Sequence, residues 1–208
     1  MSSGKIAEYL LSIQAVKLRV DPPFTWSSGW LSPLYCDNRM ILSFPEIRRA
    51  VTEAFADEIR SRYPDAAALA GVATGAIAWG ALAAELLGLP FVYIRAQAKG
   101  HGMQNLVEGR IEADKPYVVI EDLISTGKSS AQAVQALQAT GAEVRGVLAI
   151  FSYGFPQADV AFAETGVSYH SLTTLHHLLE KAVQFAYLRP EDQALILRWR
   201  EDPANWKP

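Results

Sequence analysis

The sequence predicts an α/β domain: a parallel β-sheet flanked by helices. Three features carry that expectation. From residue 67 onward, short apolar runs alternate with helical patterns, the order that builds parallel strands joined by crossover helices. Runs such as Ala67–Ala73 and Tyr117–Ile120 are apolar at successive positions, as in strands covered on both faces. Gly88 and Gly141 follow the two strongest helical patterns and supply their stops.

Taken in order, Ile6, Leu10, Ile13 and Lys17 fall at helical spacing and predict a first helix. Residues 20–44 are punctuated by Asp21, Pro22, Pro23, Ser27, Ser28, Gly29 and Pro33, which predicts loops and short strands. Ser43-Phe44-Pro45-Glu46 reads as a capping box with an early-turn proline. Ile47, Val51, Ala54, Phe55 and Ile59 then share one helical face. The core alternation is expected as strand Ala67–Ala73, helix Ala76–Leu87, strand Pro90–Ile94, strand Tyr117–Ile120, helix Thr126–Ala139, strand Glu143–Phe151 and strand Val167–Ser171, with Thr173 or Thr174 capping the next helix. Pro190 and Glu191 open a last helix through Arg198. The whole is expected as one domain, with residues 65–172 as the α/β core. Residues 1–44 fall outside the alternation and are expected to cap one end of the sheet, with 180–208 as a candidate second contributor.

Composition narrows the function. The 208 residues are half hydrophobic and one fifth charged, enough for a sizeable core. A net charge of −3 gives no footprint for nucleic acid. No apolar run approaches the roughly 20 residues needed to span a bilayer, and charges within the first apolar stretch (Lys5, Glu8, Lys17) argue against a signal peptide. The single cysteine, Cys36, excludes an intramolecular disulfide and a cysteine-built zinc cluster. A reduced, cytoplasmic setting is expected.

The strongest chemical signal is residues 118–130, VVIEDLISTGKSS. An apolar strand leads into two carboxylates, Glu121 and Asp122, then a small-residue turn, then a helix. Ligands of open α/β sheets sit at the carboxyl ends of strands. A helix N-terminus offers free backbone N–H groups to a phosphate, and Gly127 allows close approach. Ser125, Thr126 and Ser129 add hydroxyl donors, while ionised carboxylates suit a sugar diol. A Walker A loop, G-x-x-x-x-G-K-S/T, is excluded because position 122 is Asp. The dinucleotide fingerprint G-x-G-x-x-G is absent. Residues 95–115 form a long, polar, glycine-rich connection, the kind that serves as a lid.

This segment resembles the phosphoribosyl pyrophosphate (PRPP) motif of the type I phosphoribosyltransferases. The resemblance implies that Glu121 and Asp122 hold the ribose hydroxyls, that Ser125, Thr126, Gly127, Lys128 and Ser129 take the 5-phosphate, and that Leu123 and Ile124 belong to the same PRPP-binding segment. Arg95, Lys99, His101 and Gly102 resemble the R-x-x-x-K-x-H-G catalytic loop of the orotate-using branch. Residues 24–39, FTWSSGWLSPLYCDNR, resemble that branch's substrate segment. The resemblance implies orotate contacts at Ser28, Gly29, Tyr35 and Ser125, and a pyrophosphate-binding turn at Thr74 and Gly75. It also implies a homodimer whose lid reaches the neighbouring site. Four basic residues of some relatives have no counterpart: Ser27, Ala96, the Thr74-Gly75 turn and Phe151-Ser152-Tyr153-Gly154 stand in their places. Those roles are not carried over.

The implied chemistry is displacement of pyrophosphate from the anomeric carbon by a ring nitrogen of orotate. A lid carrying Arg95, Lys99 and His101 neutralises the leaving group and excludes water. Mg²⁺ is expected, held mainly through the substrate phosphates. A purine phosphoribosyltransferase or a non-catalytic nucleotide sensor of the same fold are the competing readings. His170, His176 and His177 are read as structural. Lys99→Ala is expected to lower turnover sharply and leave the fold intact. Near-normal steady-state kinetics for the folded variant would contradict the lid role.

Overall fold

Two apolar layers, one on each face of a central sheet, organise the computed structural model, which describes residues 1–96 and 106–207. The chain opens with helix α1 (Ser3–Ser12). Two small antiparallel ribbons follow: β1 (Val16–Leu18) pairs with β4 (Leu34–Cys36), and β2 (Phe24–Thr25) pairs with β3 (Leu31–Ser32). A 3₁₀ turn over Asn38–Ser43 leads into α2 (Pro45–Arg62). The core continues as β5 (Ala68–Val72), α3 (Ile77–Leu87), β6 (Phe91–Ile94), β7 (Val107–Glu108), β8 (Pro116–Ile124), α4 (Lys128–Gln138), β9 (Glu143–Ser152), α5 (Pro156–Ala163) and β10 (Tyr169–Thr174). Helices α6 (Leu175–Gln184) and α7 (Pro190–Glu201) end it.

The sheet order is β10-β9-β8-β5-β6-β7, parallel throughout except for the antiparallel edge pair β6–β7. The chain runs from β5 outward to β6, then crosses back to place β8 on the other side of β5. The order therefore reverses between β5 and β8. At such a switch point the flanking connections diverge and leave a crevice at the strands' carboxyl ends.

Alternation along the strands sorts the two cores. Val118 and Ile120 of β8 face the layer built by α1, α2, α3, α6 and α7, while Tyr117 and Val119 face α4 and α5. In α2, Val51, Phe55 and Ile59 recur at helical spacing and are fully or nearly fully buried. Gly88 closes α3 in the left-handed conformation, φ 67°.

Several boundaries differ from those the sequence predicts. Lys17 lies on β1, because the first helix ends at Ser12. The expected capping box does not form: Ser43 ends the 3₁₀ turn, Phe44 is the N-cap of α2, and no side chain caps it. Pro45 at the first helical position removes one donor that would need a partner. Thr174 is the N-cap of α6, but its Oγ1 contacts His177 Nδ1 at 3.0 Å and makes no capping bond. Helix α5 was not foreseen. The last core strand runs Tyr169–Thr174, later than Val167–Ser171, and β8 runs four residues past Ile120.

Segments from the two ends of the chain pack together at several places, α1 against α6 among them, and one of these is centred on α7. Trp199 of α7 is fully buried, and its indole N–H donates to Leu31 O at 3.1 Å. Its ring stands edge-on to Trp26 at 5.7 Å and to Phe155 at 5.3 Å. Such pairs add to the large area a buried Trp removes from water. Trp199→Ala is expected to cost about 3–5 kcal/mol of unfolding free energy, measured by denaturant titration. A loss below about 1 kcal/mol would show that the two ends are joined by other contacts.

Candidate active site

The site is built on an overhang. On one side β8 pairs with β5 only as far as Ile120, opposite Gly71; on the other it continues to pair with β9 as far as Ile124, opposite Ser152. The edge of residues 121–124 therefore faces the crevice where the chain leaves β5. Because β8 extends through both acids, Glu121 and Asp122 are strand residues with opposite faces, rather than the first residues of a loop.

Glu121 points toward α4 and is 4% exposed. Its Oε2 accepts from Ser130 Oγ at 2.7 Å and its Oε1 from the Asp122 N–H at 2.9 Å. Burial, and then the adjacent Asp122 charge, hold its carboxyl well above the usual carboxylate range. Asp122 lies against the turn that follows β5. A Cβ placed on Gly75 would collide with the Asp122 carboxylate, so a larger residue there displaces either that side chain or the turn. The Asp122 carbonyl accepts from Asn38 Nδ2 at 2.6 Å, which ties the 3₁₀ turn to the overhang. Asn38 is 1% exposed. It lies inside the segment 24–39 that the sequence singles out, but a buried amide serving a backbone carbonyl leaves no spacing signal.

Beyond the overhang, Gly127 caps α4 with φ 74°. A Cβ there would stand 3.1 Å from the Ala158 backbone of α5, so glycine is required by conformation and by packing. No side chain caps α4, so its first-turn N–H groups remain available at the helix's positive end. Ser130 is turned inward to Glu121. Ile124 is fully buried in the core beside α4 and α5, and its carbonyl accepts from Tyr153 N at 3.0 Å, so its side chain does not reach the site.

Two cavities adjoin these elements, with Leu123 lining both. The first, about 290 Å³, is lined by Thr74, Gly75, Arg95, Glu121, Asp122 and Ser129, among others. Arg95 Nη1 lies 3.2 Å from Glu108 Oε1, and its backbone N–H donates to Leu106 O at 2.7 Å. Both stems of the connection after β6 therefore stand at this cavity's rim. Lys99, His101 and Gly102 lie outside the described residues. The second cavity, about 550 Å³, is aromatic: Trp26, Trp30, Tyr35 and Tyr153 line it with Ser28, Cys36, Ser125 and Thr126. Gly29 turns the β2–β3 hairpin at φ 86° and is not part of that lining. Lys128 is exposed. Burial pushes the Cys36 thiol and the Tyr153 hydroxyl well above their ordinary values, so both are neutral at physiological pH. Tyr153 stacks on Phe155 at 5.1 Å and contacts Trp26 at 5.2 Å. It was visible in the sequence only as the residue before Gly154.

The arrangement offers amides and hydroxyls for a phosphate, carboxylates for hydroxyl groups, a guanidinium for an anionic leaving group, and an adjoining slot for a flat ring. Known proteins agree with it. The phosphoribosyl transferase domain family matches residues 37–155. The orotate phosphoribosyltransferase of Cytophaga hutchinsonii is 46% identical over 98% of this chain and 97% of its own length. That of Phocaeicola vulgatus is 49% identical over 97% and 95%. The crystal structure of orotate phosphoribosyltransferase from Aeropyrum pernix superposes with a TM-score of 0.74 at 31% identity, covering 86% of this chain and 98% of that one. Fold, site and sequence likeness thus converge: the chain belongs to the orotate phosphoribosyltransferase family.

Proposed function

We propose that this chain transfers the 5-phosphoribosyl group from PRPP to orotate, giving orotidine 5′-monophosphate and pyrophosphate, a step of pyrimidine nucleotide synthesis. The observation that carries the reading is the contact of the Thr74-Gly75 turn with Asp122, which brings the turn, the acids and the α4 N-terminus to one crevice beside an aromatic slot. A purine acceptor is disfavoured by family membership and by the residue 24–39 segment, which forms one wall of that slot.

In the reaction, a ring nitrogen of orotate bonds to the anomeric carbon as the bond from that carbon to the diphosphate oxygen breaks. Positive charge grows on the sugar and negative charge on the leaving group. The α4 N-terminal amides, with the Ser125 and Thr126 hydroxyls, hold the 5-phosphate and fix the sugar's position. Asp122 and Glu121 take the ribose hydroxyls. Arg95 grips diphosphate oxygens, which requires it to exchange Glu108 for the ligand. Lys99 and His101 close over the same charge and exclude water. The acceptor ring lies among Trp26, Tyr35 and Tyr153, with Ser28 and Ser125 at its polar edges.

Among the described residues, no group of three or more His, Cys, Asp or Glu is gathered for a metal. Mg²⁺ bound chiefly through the substrate's diphosphate would need few protein ligands, and Asp122, which lines this cavity, would be the carboxylate that helps hold it. Bound Mg²⁺ supplies charge to offset that of the diphosphate. The reading also carries a homodimer, with the segment after Arg95 reaching the partner's site, and a cytoplasmic setting. Among the described residues, no helix is long and apolar enough to cross a membrane.

Mixing the protein with orotate, PRPP and Mg²⁺ is expected to deplete orotate absorbance, with no turnover of adenine, guanine or uracil. Turnover of a purine in place of orotate would reverse the assignment. Gly75→Ala forces the turn away from Asp122 and is expected to lower kcat/KM for PRPP by about 10²-fold, as small misplacements of positioning groups do. Circular dichroism should show a retained fold. Activity within a few-fold of the unmodified protein would mean that the close approach has no part in catalysis.

A further inference from the structure

Orotate carries a carboxylate, and the aromatic cavity that fits its ring has no lysine or arginine in its lining. Nearby cations are engaged elsewhere. Arg39 pairs with both Asp37 oxygens at 2.7 and 2.9 Å. The Arg19 guanidinium lies over the Phe24 ring at 4.3 Å. Resting on the function proposed above, we propose that Arg200 of α7 supplies the missing charge and binds the carboxylate of the acceptor base.

Three observations place it there. Trp199, its neighbour in the chain, is locked by Leu31 and packs on Trp26 and Tyr153, two residues of the cavity wall. This fixes the register of α7 against the cavity. Arg200 Nη1 then lies 3.9 Å from where a Cβ on Gly154 would sit, directly after Tyr153. Gly154 turns the chain there with φ 67°. Finally, Arg200 Nε is shielded from solvent with no hydrogen-bond partner, and the described residues offer its guanidinium no carboxylate within ion-pair distance. A buried donor left unpaired is costly, and an arriving anion removes that cost.

Arg200 is not among the residues that line the cavity, so its side chain changes rotamer to reach the ring's edge. Two other anions come to this end of the sheet: the 5-phosphate has the uncapped α4 N-terminus and two hydroxyls of its own, and the diphosphate has Arg95 in the first cavity. The base carboxylate has no cationic partner among the residues of its cavity, and it is the anion Arg200 serves.

The test is steady-state kinetics of Arg200→Gln and Arg200→Lys, with KM measured separately for orotate and PRPP and with melting temperatures alongside. Loss of a charge-assisted contact predicts a roughly 10- to 100-fold rise in KM for orotate in the glutamine variant. KM for PRPP should stay within about twofold, and the lysine variant should recover part of the loss. Uracil, which lacks the carboxylate, should compete with orotate as weakly in absolute terms as before, so orotate's advantage over it shrinks by the same factor. An unchanged KM for orotate in a folded glutamine variant overturns the proposal, as does a rise in KM for PRPP equal to or larger than that for orotate. Should the glutamine variant not fold, the lysine variant decides by the same KM comparison. If the unmodified protein does not use orotate at all, the functional reading falls first and this proposal with it.

Discussion

The close approach of the Gly75 backbone to the Asp122 carboxylate is the constraint on which the site depends. It occurs where a parallel sheet reverses its winding, so one strand loses its neighbour while still held on its far side. Four residues of β8 thereby gain an open edge without losing the rigidity of the sheet. A carboxylate on a strand is held more firmly than one on a loop.

The two acids, adjacent in sequence, meet different surroundings because successive strand residues face opposite ways. Glu121 is buried beside α4 in the wall of the first cavity, where Ser130 and a backbone N–H donate to it. Asp122 looks into the crevice beside the post-β5 turn. Burial pushes the Glu121 carboxyl toward its neutral form, and PRPP, with its several negative charges, would push it further. Of the two acids, Glu121 is therefore the one whose burial favours the protonated form, a consequence of which way its side chain faces in the pleat.

The parts of this architecture that were legible in the sequence are those with local causes. Apolar runs separated by helical patterns mark all five parallel strands, and the acids, small residues and Gly127 mark the strand–turn–helix junction at the crevice. What escaped has non-local causes. Helix α5 follows directly on the aromatic Tyr153-Gly154-Phe155 segment, and its burial comes from contact with α4 rather than from a strong stripe of its own. The extra length of β8 reflects pairing with β9, which no pattern within residues 121–124 announces. The capping box at Ser43 matched its signature yet did not form, because the preceding 3₁₀ turn claimed the serine. Asn38 has its role through a partner 84 positions away in the chain, the Asp122 carbonyl.

The packing of Trp199 on Trp26 and Tyr153 has a further consequence. The aromatic cavity takes most of its wall from the N-terminal segment, completed by Leu123, Ser125, Thr126 and Tyr153, while Trp199 near the other end of the chain backs two of its rings from behind. The wall's shape is thus tied to a residue that never touches its contents, and reshaping it requires exchanging the N-terminal segment and the last helix as a matched pair. Exchanging either terminus alone would mismatch an indole against a foreign surface.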